Sequence, residues 1–167
     1  IEAPNWRKSG IDILNREIKK QVYDDGGQYE LDLGYHGGCI GIFSNALNMA
    51  KVNGYGKEFP DSYANTIKKM MMFSINTYFP DYTFPCFSDA KRAKPFSLVR
   101  NYQRWSELFP EDEQLRYFAT QGKKGKQPTW LCHASANSGF FTFRNGWGQD
   151  ATVMILKAGP KAEWHCQ

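Results

Sequence analysis

Apolar positions recur at helical spacing along most of the chain and give way, near its end, to short aromatic and β-branched runs. Ile11, Leu14, Ile18 and Val22 share one face of residues 5–22, with Arg7, Lys8, Asp12, Arg16, Glu17 and Lys20 largely elsewhere. That spacing predicts an amphipathic helix, stopped by Asp25-Gly26-Gly27. A second helix is predicted over 36–52 through Ile40, Phe43, Leu47 and Ala50, ending at Asn53-Gly54. Its first turn carries Gly37 and Gly38, each costing about 1 kcal/mol in a helix. They imply a close approach to the backbone or an irregular start. A third helix, 61–78, lies between Pro60 and Pro80. Its apolar residues Tyr63, Ile67, Met70, Met71, Phe73 and Ile75 cover more than one face, as in a helix packed between others. Two shorter helices follow, over 96–109 and 111–120.

Between the third and fourth helices runs PDYTFPCFSDAKRAKP, an aromatic and proline-rich loop of a length often given to function. After GKKGKQPT the character changes. Residues 138–144 and 151–156 read as strands joined by a turn at 145–150. Helices in sequential antiparallel pairs, then strands, predict two domains rather than a βαβ fold. The fold class expected is therefore mainly α, then β. Residues 1–125 form the helical part and 126–167 the strand part, the boundary falling within 122–135.

A length of 167 residues suffices for one domain with a real core, or for pieces of two. Aromatic content of 16% is high. Most such residues fill cores, and some provide platforms for sugar rings. The net charge of +4 suits a polyanionic partner only where the charge gathers on one surface. Local clusters occur at Lys19-Lys20, Lys68-Lys69, Lys91/Arg92/Lys94 and Lys123/Lys124/Lys126. No apolar run reaches the ~18 residues of a membrane span. Cys39, Cys86, Cys132 and Cys166 lack metal-ligand spacing, so no metal is expected. The absence of a phosphate-binding glycine loop, a nucleophile elbow and an HExxH helix excludes the chemistries those motifs serve. The chain opens on IEAPNW and closes on WHCQ after a strand-like stretch, and reads as a central piece of something longer.

Candidate chemistry concentrates in DDGGQYELDLGYH (24–36) and EWHCQ (163–167). The first sets Tyr35 beside His36 at a helix start; the second sets His165 beside Trp164. Taken singly, each is more often structural. Together, a phenol and an imidazole from distant segments move protons without a metal or cofactor.

YELDLGYH opening a long helix, then GFFTFRNGW, then a strand ending in WH, resembles the heparinase III-type polysaccharide lyases over nearly the whole chain. The resemblance implies the last helices of an incomplete α/α toroid followed by the first strands of an antiparallel β-sandwich, with the active site between them. It implies β-elimination on heparan sulfate, Tyr35 and His165 as catalytic residues, and His36 as a supporting one. The family's third residue, an asparagine of an NH motif, has no match here and is expected upstream of Ile1. Family members are exported, so a periplasmic or secreted location follows. The partners implied are an acidic polysaccharide and the remainder of the parent chain, with no cofactor, nucleic acid or membrane.

In such an elimination the C5 proton is removed next to a carboxylate whose charge must be offset by an amide or a cationic imidazole. A free phenol, with pKa ~10, is about one part in a thousand ionised at neutral pH, so a base role needs a nearby positive charge. As an acid it needs none. Sulfates would be met by Lys91, Arg92, Lys94, Arg100, Lys123, Lys124 and Arg144, and Glu30 would hold the site's geometry. One rival is an α/α-toroid glycoside hydrolase using the carboxylates among Asp24, Asp25, Glu30 and Asp32. Another is a non-catalytic module that only binds sulfated glycan.

Overall fold

A computed structural model describes residues 2–160 of the chain. Five helices precede a small three-stranded antiparallel sheet. The helices are α1 (Glu2–Gln21), α2 (Leu33–Val52), α3 (Asp61–Asn76), α4 (Val99–Leu108) and α5 (Glu113–Ala119), with one 3-10 turn at Gly56–Glu58. The strands are β1 (Cys132–Ser135), β2 (Phe140–Arg144) and β3 (Val153–Lys157), in that spatial order. Among the described residues no helix is long and apolar enough to cross a membrane.

Local chemistry sets the boundaries. The carboxylate of Asp32 accepts hydrogen bonds from the amides of Gly34 and Tyr35, so α2 starts at Leu33, ahead of the expected His36. Asp112 caps α5 the same way, through the amides of Gln114 and Leu115, and moves its start from 111 to Glu113. Phe96 sits at a φ of 61°, outside right-handed helix space, so α4 begins only at Val99. At the end of α3 the Thr77 hydroxyl donates to the Phe73 carbonyl and closes the helix before Tyr78. Strand β1 went unpredicted because CHAS carries no apolar alternation; pairing with β2, Ser135 opposite Phe140, makes it a strand.

α3 lies at the centre. Ile67, Met70 and Met71 are fully buried, and one core cluster joins α1 through α5, extending to Trp147 in the β2–β3 connection. The aromatic loop after α3 is partly core: Tyr82 is buried and stacked on Phe96 at 5.9 Å. The sheet attaches through its inner face. Phe140, Thr142 and Arg144 point inward, and Phe140 clusters with Leu31, Leu33 and Phe73. Phe143, Met154 and Leu156 stand exposed on the opposite face.

Candidate active site

The segment between α1 and α2 is held on both sides before it delivers Tyr35. Val22 bridges Gln28, and Gly26 takes a φ of 91° against α3, where a side chain would collide with the Lys69 carbonyl. Asp25 accepts from the Gly27 amide with one oxygen and from the Ser138 amide and hydroxyl with the other. Asp32 then fixes the first turn of α2. The result is a half-exposed Tyr35 (48%) on a backbone that has been fastened to α3 and to the β1–β2 turn.

His36 faces the other way. Its Nε2 lies 2.9 Å from the Met70 carbonyl and its ring meets Phe73 edge-on at 5.0 Å. A carbonyl only accepts, so Nε2 carries the proton and Nδ1 is the free acceptor. Burial pushes its pKa down to about 4, against the opposing pull of the Met70 carbonyl, so the ring is neutral at pH 7. Nδ1 has no partner among the described residues.

The remaining predicted residues divide. Glu30 is half-buried, its amide donating to the Gln28 side chain at 3.0 Å. Arg92, Arg100 and Lys124 are exposed. Arg92 borders a hollow of about 430 Å³ with Phe84, Cys86 and Gln149, away from α2. Arg144 departs from the expectation of a sulfate contact. It is buried, its guanidinium lies 3.9 Å over Trp147, and it donates to the Asn76 carbonyl at 3.2 Å. That places a cation on the C-terminal end of α3, where helix carbonyls lack partners. Trp164 and His165 lie outside the described residues.

The expectation for Gly37 and Gly38 also changes. Helix α2 runs regularly through both, and side chains built at Gly37, Gly38 or Gly41 would meet nothing within 4 Å. They border two hollows of about 300 and 330 Å³ between α2 and α4, which share Gly37, Asn101 and Trp105 and form one trough. Asn101 and Arg104, which line this trough, and half-buried His133 on β1 were not singled out from the sequence. The only available signal for Asn101 and Arg104 was their helical spacing from Leu108; His133 lay in an unrecognised strand. Among the described residues no cluster of His, Cys, Asp and Glu is placed to hold a metal ion.

The family model described as the Heparinase II/III N-terminus matches residues 1–117. The chain belongs to the heparinase II/III family. It is 56% identical to a heparin-sulfate lyase of Bacteroides stercoris, over 99% of this chain and 25% of the relative. Identity to a heparin-sulfate lyase of Pedobacter heparinus is 46%, again over 99% and 25%. The solved structure of a heparinase III gene product superposes with a TM-score of 0.94 at 58% identity, covering 99% of this chain and 26% of that one. The chain thus spans about a quarter of the length of the heparinase II/III relatives it matches. The family model ends within α5, whereas similarity to the lyases continues through the sheet.

Proposed function

We propose that the protein to which this chain belongs is a lyase that cleaves heparan sulfate by β-elimination at a hexuronate. The observation that carries the reading is Tyr35, half-exposed on a capped and anchored helix start, in a chain 56% identical to a heparin-sulfate lyase. In this reading residues 1–125 are the last helices of an incomplete α/α toroid. Residues 126–167 begin an antiparallel β-sandwich, and His165 comes from it to the shared cleft. The exposed apolar sheet face at Phe143, Met154 and Leu156 suits a second sheet from the rest of the parent chain.

The chemistry requires no cofactor. A base takes the C5 proton, the C4–O bond breaks, a C4=C5 double bond forms, and an acid protonates the departing glycosidic oxygen. An ordinary phenol can protonate the departing oxygen, and for glucuronate the C5 proton and the leaving oxygen lie on the same face, so Tyr35 alone, or Tyr35 with His165, takes the one proton and supplies the other. His165 shares the proton transfer or offsets the uronate charge. Exposed Lys91, Arg92, Lys94, Arg100, Lys123 and Lys124 are the cations left to meet sulfates, Glu30 holds the site's geometry, and Trp164 is assigned to substrate binding. The location proposed is the periplasm or the exterior.

The hydrolase alternative is disfavoured by two of its carboxylates. Asp25 is held by Gly27 and Ser138, and Asp32 is buried as the α2 cap. Incubating the full-length protein with heparan sulfate separates the readings: elimination yields a conjugated uronate that absorbs in the ultraviolet, hydrolysis yields none, and a binding module leaves chain length unchanged. Tyr35→Phe is expected to abolish the absorbance while retaining binding. Near-normal turnover by that variant would refute the assignment.

A further inference from the structure

The trough between α2 and α4 is unlike the apolar surfaces elsewhere on this chain. Its floor is backbone, because Gly37 and Gly41 bring no side chain to it. Its walls carry Asn45 and Asn48 from α2 and Asn101, Arg104 and Glu107 from α4. None of these five side chains makes a hydrogen bond or ion pair with another described residue. One end is bordered by Gly34, the residue before Tyr35, whose own side chain does not line the trough; His36 borders it there, 2% exposed, its unpartnered Nδ1 closed off from solvent.

A packed protein helix is a poor occupant. It would desolvate three amides, a guanidinium and a carboxylate, at about 1–3 kcal/mol for each group left unpaired. A saccharide suits the same walls. Its hydroxyls donate and accept, and so can satisfy the amides and the carboxylate together. Anionic substituents would find Arg104.

We propose that this trough is a saccharide subsite that takes sugar units of the substrate beyond those at Tyr35, with Asn101 and Arg104 as its principal contacts. The proposal rests on the glycan-lyase reading for its ligand. The trough is bordered by Gly34 at one end and by Asn48 and Leu108 at the other, so successive sugar units lie along α2.

The test uses the full-length protein carrying Tyr35→Phe, titrated calorimetrically with size-defined heparan sulfate oligosaccharides from disaccharide to octasaccharide. Gly41→Leu fills the trough from a position with open space and a favourable change in helix propensity. Arg104→Ala removes a contact from an exposed position. Each is expected to cut the ratio of octasaccharide to disaccharide affinity about tenfold, the equivalent of about 1.4 kcal/mol. An unchanged ratio overturns the subsite, as does an equal loss of affinity for both lengths. A lowered melting temperature for Gly41→Leu with the ratio unchanged identifies a protein segment as the occupant, and also overturns it. Failure of the parent protein to eliminate, with the length ratio still lowered by both variants, rejects the lyase reading and keeps the subsite.

Discussion

Asp25 and Ser138, 113 positions apart, are joined by two hydrogen bonds: one carboxylate oxygen accepts from the Ser138 amide at 2.8 Å and from its hydroxyl at 3.1 Å. The contact ties the segment that leads to Tyr35 to the turn between β1 and β2. Gly27 closes the joint, since a side chain there would run into Ser138. In the proposed lyase this is a link between the element bearing the phenol and the sheet that leads on to the imidazole.

Replacing Asp25 by alanine leaves the Ser138 amide without an acceptor, at a cost of about 1–3 kcal/mol. Thermal melts of the full-length protein are expected to show that loss for Asp25→Ala. Asp25→Asn, which keeps an acceptor oxygen, is expected to lose less. Equal melting temperatures for Asp25→Ala and the parent would show that the joint contributes nothing to stability.

Arg144 is predicted to matter for stability rather than substrate affinity. Its guanidinium covers Trp147 and donates to the carbonyl at the end of α3. A desolvated cation–π contact is worth about 2 kcal/mol, and a charged hydrogen bond about as much. Arg144→Met should therefore lower unfolding free energy by roughly 2–4 kcal/mol. Denaturant titration checks this, and a variant of normal stability with weakened glycan affinity would restore Arg144 to the binding surface.

His36 gives stability a pH dependence of definite sign. Its folded pKa is about 4, below the ordinary 6.5. Between those values the unfolded chain binds the proton and the folded chain does not, so stability is complete above about 6.5 and falls as pH drops toward 4. The full span corresponds to about 3 kcal/mol. His36→Gln keeps a donor for Met70 but cannot titrate. Urea midpoints of this variant should depend less on pH between 6.5 and 4 than those of the parent; parallel curves would contradict the assignment.

Asp32 links folding to chemistry through Tyr35, whose amide it caps at 2.9 Å. Asp32→Ala should destabilise by about 0.5–2 kcal/mol as a lost cap. Turnover of heparan sulfate should fall further than stability does, because the first turn of α2 carries the phenol. Asp32→Asn, which still accepts, is expected to recover part of the rate. Rates that remain at the parental level in both variants would separate the cap from the chemistry.

Periodicity alone determined much here. The three long helices were legible because their apolar residues repeat along one or more faces, and helix burial depends on that local spacing. Two of the three strands were legible from their aromatic and β-branched runs. The motif around Tyr35, GFFTFRNGW and the terminal WH, taken in order, pointed to the family. What the sequence did not decide were features created by partners far away in the chain. Strand β1 exists because β2 pairs with it. Arg144 turned inward because the end of α3 and Trp147 met it there, and an arginine's spelling carries no mark of which neighbours will arrive. The trough, too, is a property of two helices side by side: the glycines of α2 stand out in the sequence, but only packing beside Asn101 and Arg104 of α4 makes them the floor of a groove.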